Sequence, residues 1–393
     1  VLQLRTITAT KSSLRRATSE RNRIVFISNS TDGLYLFRRQ AINSLIHHGY
    51  HVTLISPFDH RAEDFIAYGA DISPIELHRQ STNPFRDIGT VFEIYRLLKS
   101  LRPNLVFTYT LKPNIYGCLA ADRLGMPVIS VVAGLGALPS LKNTLLQRII
   151  YSGYRTAIAR ATEVWFLNAH DQGFFEGRGW LKHTLSRLLP GEGLSASDYS
   201  WQPLPTNERP QILFLGRLLL AKGVRIFAKA AQLAKDQSLD LDFVIYGPFD
   251  DSNPDGVSVA ELHEWTTAGI LRYKGVTDEV AHCITASDIV AVPTSYHEGL
   301  NRVIQEALAV GRSVITTAMP GAGELVQHQE TGYIIPSHDP AALLEAIQYH
   351  LSLSQAKREQ MSRLGSRLTR QRYDVRLVLE HYWDAIDRYV HKP

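Results

Sequence analysis

The feature that most constrains this chain is an alternation of short apolar runs with segments of helical period, repeated twice. Ile24-Val25-Phe26-Ile27-Ser28 reads as a buried strand. Leu34, Phe37, Ala41 and Leu45 then recur at helical spacing to about His48, Gly49 ends the helix, and His51 to Ser56 reads as a strand again. The pattern continues through strand 72–77, helix 84–101, strand 104–108, helix 114–124, strand 127–132, helix 141–161 and strand 163–167. A second series has strands at 211–215, 241–246, 271–274, 288–292, 313–317 and 332–336. Helices follow the first strand to about Asp236 and cover 279–286, and three more close the chain at 340–353, 355–372 and 375–390. Each crossover between parallel strands lays a helix on the sheet, so the expected class is α/β, with two Rossmann-like parallel-sheet domains covered on both faces.

Between the two series the pattern breaks at Leu189-Pro190-Gly191-Glu192-Gly193 and again at Pro203-Leu204-Pro205, which marks a hinge. The chain, 393 residues long, also exceeds what one ordinary core holds. The expected division is a basic mobile tail at 1–23, Rossmann-like domains at 24–195 and 196–372 and a terminal helix at 373–393. The tail holds six basic residues and one acid. Its Ser/Thr content also suits an organelle transit peptide, and the initial Val leaves an alternative start open.

Net charge is +4, but it is unevenly spread: 23 Lys/Arg stand against 14 Asp/Glu up to Ser195, and 19 against 24 beyond it. A basic first half with no helix-turn-helix and no aromatic-studded RNA motif favours an anionic membrane surface or a phosphorylated substrate over nucleic acid, although a merely solvated basic surface fits the same count. Cys118 and Cys283 lie in apolar stretches without metal or redox spacing and read as packing residues in a reducing compartment. The longest uncharged run, 125–141, is broken by Pro and Gly and falls short of the ~20 residues of a membrane helix.

Chemistry concentrates after the apolar run Ile289-Val290-Ala291-Val292-Pro293, in Tyr296-His297-Glu298-Gly299-Leu300-Asn301-Arg302-Val303-Ile304-Gln305-Glu306. This reads as a turn leaving a strand and entering a helix, whose free amides and positive dipole end suit an anion while Gly299 lets a ligand approach the backbone. Glu298 and Glu306 could accept hydrogen bonds from ring hydroxyls. Equally, Glu298 could complement a helix dipole and Glu306 could pair with Arg302. Arg217 and Lys222 flank another strand-to-helix turn, Gly216 to Gly223, where two cations could neutralise a diphosphate or be surface charges. Loops at strand carboxyl ends place Asp32, Gly33, Lys112, Asn114, Gly134 and Gly136 on the rim of the first domain. No Asp-x-Asp stands at a strand end and the histidines are scattered, so no metal and no cofactor are expected.

E-G-L-N-R-V-I-Q-E-A-L-A resembles the E-x7-E signature of the retaining family-4 glycosyltransferases, and the resemblance extends over about Arg23 to Tyr389. Gly247-Pro248-x-Asp250 with Asn253-Pro254, the Thr110–Gly117 block and Gly134-Leu135-Gly136 are similar to a subset that builds capsule and lipopolysaccharide. The resemblance implies the GT-B architecture, with 24–195 as the acceptor-side domain, 196–372 as the nucleotide-sugar donor-binding domain, and the terminal helix crossing back to the first domain through Tyr373, Leu377, Val378, Tyr382 and Ile386. It implies a donor site of Gly216, Val276, Gly299, Leu300, Asn301 and Glu306, with Glu298 on the donor sugar, Glu306 on the ribose, and Arg217 and Lys222 on the departing diphosphate. It further implies metal-independent transfer from a UDP-hexose or UDP-N-acetylhexosamine to a polyprenyl-linked saccharide, with retention of configuration, by a protein peripheral at the inner face of the plasma membrane. Domain closure would exclude water. Where many relatives carry a first-domain His, this chain has Tyr109, Thr110 and Lys112, and Glu192 is unusual within its Gly-x-Gly loop. A silent nucleotide-sugar-binding subunit, or an epimerase or hydrolase on the same fold, remain alternatives.

Overall fold

The computed structural model describes residues 22–77, 84–135, 144–195, 197–250, 253 and 255–391, so the expected tail, but for its last two residues, and Gly136 lie outside the described residues. The chain divides into two compact units. One comprises the described residues up to Glu192 together with those from Arg376 onward, and the other runs from Gly193 to Val375.

The first unit holds seven parallel strands: β1 (Arg23–Ile27), β2 (His51–Ser56), β3 (Asp71–Pro74), β4 (Leu105–Tyr109), β5 (Val128–Val132), β6 (Glu163–Phe166) and β7 (Leu185–Leu188), in the order β3-β2-β1-β4-β5-β6-β7. Ile24 pairs with Val52 on one side and Leu105 on the other. The two-residue period of β1 serves both faces. Val25 and Ile27 pack with helices α3 (Pro84–Leu101), α4 (Leu111–Arg123), α5 (Thr144–Ile158) and α6 (Ala169–Gly177). Ile24 and Phe26 pack with α1 (Thr31–His47), α2 (Ala62–Tyr68) and the terminal helix α13 (Val375–Tyr389).

Helix α13 docks through Val378, Tyr382, Ala385 and Ile386, all buried. Its last turn is tied down by Glu163, a wholly buried carboxylate at the start of β6. One oxygen accepts from Arg388 (2.6 Å) and Tyr389 (2.7 Å), and the other from Trp165 Nε1 and Arg187 Nε (both 2.9 Å). A buried charge is tolerable only when it is so completely paired. Two expectations for this helix change. Leu377 is only half-buried, and Tyr373 belongs to the second unit, packing against the cluster that holds Ile304, Leu308 and Leu325.

The second unit has six parallel strands in the order β10-β9-β8-β11-β12-β13: β8 (Gln211–Leu215), β9 (Asp242–Tyr246), β10 (Arg272–Tyr273), β11 (Ile289–Val292), β12 (Ser313–Thr317) and β13 (Gly332–Ile335). Helices α7 (Val224–Asp236), α8 (Val259–Thr267), α9 (Val280–Ala286), α10 (Arg302–Val310), α11 (Pro340–Ser352) and α12 (Gln355–Tyr373) cover it. Ser258 caps α8, its hydroxyl accepting from Glu261 N.

Elsewhere the elements depart from the sequence pattern. Helix α4 starts at Leu111, three residues before its expected start. Pro113 is accommodated in the first turn, where its missing N–H has no partner to lose. Helix α2, helix α6 and strand β7 had no counterpart in the pattern: each short helix buries only two side chains, and Leu185-Ser186-Arg187-Leu188 is not a continuous apolar run.

Two outcomes follow. Glu163→Ala should leave Arg187 and Arg388 without their shared carboxylate and cost about 3–5 kcal/mol in urea unfolding. His350 of α11 is buried, its Nδ1 3.2 Å from the Tyr333 hydroxyl; burial, aided by the Arg358 charge, lowers its pKa to about 4. The unfolded chain therefore binds the proton that the folded chain refuses. Stability is fully present above pH 6.5 and declines as pH falls from 6.5 toward 4, by roughly 3 kcal/mol. His350→Phe should flatten that slope in a pH series of thermal midpoints.

Candidate active site

In the second unit, the carboxyl ends of five adjacent strands bring the expected residues together. After β8, Gly216 leads into Arg217 and a 3-10 turn, Leu220–Lys222, which Gly223 (φ 86°) closes before α7. This segment is zipped to the loop after β9. Leu218 N donates to Pro248 O (3.1 Å), Leu220 N to Asp255 O and Ala221 N to the Asp255 carboxylate (both 2.8 Å). The half-exposed Arg217 guanidinium sits 3.4 Å from Asp250. Gly247 N donates to Gly275 O (2.9 Å), placing Val276, 68% exposed, beside the same rim.

From the other side come the residues after β11. Ser295 N donates to Ala221 O (2.8 Å), and Lys222 Nζ reaches Glu298 Oε1 at 2.7 Å while lying 5.1 Å from the centre of the Tyr296 ring. Asn301 has two roles. Its Oδ1 accepts from Ile304 N (3.0 Å), capping α10, and its Nδ2 donates to Glu298 Oε1 (2.9 Å). The helix therefore begins at Arg302, and Glu298 lies three residues before the cap on an irregular segment with Gly299 and the buried Leu300. That segment leans on the loop after β12: Asn301 N donates to Gly321 O (2.6 Å) and Glu298 N to Pro320 O (3.3 Å). Glu324 Oε1 in turn accepts from Gly321 N (2.9 Å), which ties this carboxylate, left out of the expected site, to the support of Glu298.

Glu306 lies two turns along, buried, with Oε1 accepting from Arg302 Nε at 2.7 Å. The pairing weighed from the sequence is thus present. Tyr199 joins the pair: burial and then the Glu306 charge push its phenol well above the usual tyrosine range. Burial likewise raises Tyr296, with Glu298 adding to the shift and Arg217 opposing it. Tyr296, Asp255, Gly321 and Tyr199 are the participants that motif reading did not select. Only the first three lie near a recognisable motif; Tyr199 comes from the inter-series segment.

The rim residues of the first unit are differently placed. Asp32 Oδ1 lies 3.1 Å from His60 Nδ1. Asp59 Oδ2 accepts from Thr31 N (2.8 Å) and Asp32 N (3.1 Å), and the Ser30 hydroxyl accepts from Gly33 N (3.1 Å), so the amides opening α1 are already engaged. Lys112 pairs with Asp87 at 2.8 Å. Gly134 (φ 105°) turns the chain after β5. Asn114 is a correction: it is wholly buried beneath the rim, donating to Val131 O (3.0 Å) and Tyr154 Oη (3.1 Å) and accepting from Thr108 Oγ1 (2.8 Å). Tyr109, one of the three residues noted above with Thr110 and Lys112, also points inward. Its hydroxyl meets that of Tyr382 at 2.7 Å and its ring lies under the Arg38 guanidinium, itself paired with Glu192. Among the described residues no three His, Cys, Asp or Glu side chains group as metal ligands would.

The chain matches two described families in succession: residues 23–168 match "Glycosyl transferase 4-like" and residues 209–352 match "Glycosyl transferases group 1". It is 26% identical over 389 residues to the N,N'-diacetylbacillosaminyl-diphospho-undecaprenol alpha-1,3-N-acetylgalactosaminyltransferase of Campylobacter jejuni, covering 94% of this chain and 99% of the relative. It is 24% identical over 281 residues to the UDP-Gal:alpha-D-GlcNAc-diphosphoundecaprenol alpha-1,3-galactosyltransferase of Escherichia coli, covering 67% and 70%. In fold it resembles Anabaena Alr3699/HepE, solved in complex with UDP, at a TM-score of 0.75 and 17% identity, over 93% of this chain and 100% of that one. With a 4-like domain on its first parallel sheet, a group 1 domain on its second, and the E-x7-E carboxylates at the carboxyl rim of that second sheet, the chain belongs to the family-4-like glycosyltransferases of GT-B fold.

Proposed function

We propose that the chain moves a hexose or N-acetylhexosamine from a UDP-sugar onto a saccharide carried on a polyprenyl diphosphate, with retention of anomeric configuration and without a metal, at the inner face of the plasma membrane. The observation that carries the reading is the junction of Lys222, Glu298 and Asn301, with Arg217 at its edge, on the strand-end rim of the second sheet. Supporting it, the Campylobacter relative that matches along nearly the whole chain bears a name describing transfer to a diphospho-undecaprenol-linked sugar, and the Escherichia relative's name adds a UDP donor.

In this reading Arg217 and Lys222 meet the diphosphate and stabilise it as it leaves, which lowers the barrier to an oxocarbenium-like transition state directly. Once Lys222 turns to phosphate, Glu298, still held by Asn301, is available to the hydroxyls of the donor sugar. Glu306 is oriented by Arg302 and Tyr199 to accept from the ribose. The acceptor hydroxyl attacks from the face the diphosphate leaves, and its proton passes to a phosphate oxygen. The new glycosidic bond forms as the anomeric C–O bond breaks, and UDP departs.

Two measurements test the reading. UDP at about 100 times its Kd should stabilise the protein by about 2.7 kcal/mol, a rise of a few degrees in the midpoint, whereas ADP and GDP should not. Glu306→Gln should keep the fold and weaken UDP roughly tenfold; equal shifts with all three nucleotides would remove the uridine assignment. With a UDP-α-sugar and a lipid-diphosphate acceptor, proton NMR should show an α-linked product from the earliest time points. A β-linked first product would dismiss retention, and free sugar formed at the same rate without acceptor would identify a hydrolase.

A further inference from the structure

Large apolar side chains are exposed very unequally. Among the described residues eleven belong to the first unit and three, Val259, Val276 and Tyr349, to the second. Four of the eleven form two ridges. Ile88 and Phe92 stand one turn apart near the start of α3, and Leu145 and Ile149 stand one turn apart near the start of α5, each at least 60% exposed. Helix α4 packs against both helices and is recessed between them, exposing only Asp122 and Arg123 at its far end. Helices of a parallel sheet start at the strand carboxyl ends, so the ridges lie toward the ligand-facing rim.

We infer that these two ridges are the face by which the protein docks on an anionic lipid bilayer, with Ile88, Phe92, Leu145 and Ile149 entering the headgroup boundary. Four exposed apolar side chains at helical spacing are more than scattered surface residues. The charges around them select the occupant. Exposed Arg96 and Lys99 continue α3, exposed Arg148 and Arg155 lie on α5, and α5 contains no acid at all. Against these stand Glu93, exposed on α3, and Asp87, already paired with Lys112. Apolar side chains bordered by arginines are what an anionic bilayer binds, the first entering the acyl boundary and the second the phosphates. A second copy of the chain on the same face would bring arginines against arginines. A second exposed apolar group, Leu36, Phe37, Ile66 and Tyr68 on α1 and α2, lacks such a basic border: Arg39 and Arg61 over the Tyr35 ring are matched by Glu63 and Asp64, and Asp64 pairs with Arg61 at 3.2 Å. The inference deepens the proposed use of a lipid-borne acceptor, but vesicle binding by itself requires neither donor nor acceptor.

The test is co-sedimentation of the full chain at low salt with phosphatidylcholine vesicles containing about one-third phosphatidylglycerol, the composition supplying the surface potential. Wild type should sediment. Replacement of Ile88, Phe92, Leu145 and Ile149 together by Ser should lower the partition coefficient by roughly tenfold or more. Arg96→Gln with Arg148→Gln should lower it by about fivefold per charge, on anionic vesicles only. Leu36→Ser with Ile66→Ser should leave it unchanged, and retention of the UDP-induced thermal shift by each variant shows that it is folded. Wild type that ignores the anionic vesicles, or an equal loss in the Leu36/Ile66 control, overturns the docking face. Docking without transfer of any sugar would sink the functional reading and leave the face standing, whereas transfer to soluble acceptors without docking would do the reverse.

Discussion

The constellation in the second unit depends on backbones that touch with no side chain between them. At Gly321 (φ 79°) a Cβ would lie 2.5 Å from Glu298 O, and at Gly223 (φ 86°) one would run into the carbonyl of Pro293. Both positions adopt the left-handed conformation that L side chains resist. These two contacts let the turns after β8, β11 and β12 stack closely enough for Ser295 to bond Ala221 and for Lys222 to reach Glu298 at 2.7 Å. A methyl group at either glycine would separate segments whose polar contacts tolerate only a few tenths of an ångström. The chemistry of the site is thus set by an absence of side chains at two places, and the charged residues follow from it.

The same closeness makes the charges interchangeable. Lys222 and Glu298 are both about five-sixths buried, and an isolated charge at that depth would be costly, so each protects the other. A diphosphate is a stronger partner for Lys222 than one carboxylate, because it carries more charge and more acceptor oxygens. In the proposed reaction its arrival exchanges one pairing for another and releases an acceptor carboxylate toward the sugar. Arg302 and Glu306 form a second such pair, where the carboxylate keeps its partner and uses a remaining lone pair.

Much of this was legible in the sequence because parallel strands are buried on both faces and write themselves as continuous apolar runs, as in Ile24–Ile27 and Ile289–Val292. The turns at their carboxyl ends could then be assigned to one rim from topology alone. What could not be read was set by contacts distant in sequence or by competition between neighbouring caps. Asn301 outcompetes the residues before it for the α10 cap, which shifts the helix start away from Glu298. Starting α4 at Leu111 rotates Asn114 inward, where Val131, Tyr154 and Thr108 saturate it. Glu192, odd within a Gly-x-Gly loop, is explained by Arg38, more than 150 residues earlier, with which it forms a buried pair stacked on Tyr109. No local pattern signals such a partner.

The unequal charge of the two halves acquires a physical meaning once the units are separated. In the proposed reaction the nucleotide sugar is soluble and diffuses to its site, so two cations would suffice to receive it, and the rest of that unit could be acidic without penalty beyond a Debye length of about 8–10 Å. The proposed acceptor, carried on a lipid, would stay in its bilayer, and the protein would have to go to it. With no helix among the described residues long and apolar enough to cross a membrane, residence at a surface would have to come from many weak contributions, each apolar side chain and each arginine adding a little. In the inferred docking the exposed ridges of α3 and α5, with the arginines beside them, would be contributions of that kind, and they lie in the unit that carries the 4-like domain. Affinity assembled from small terms is also reversible, which would suit the proposed transfer, in which one lipid-linked product is released and the next acceptor found.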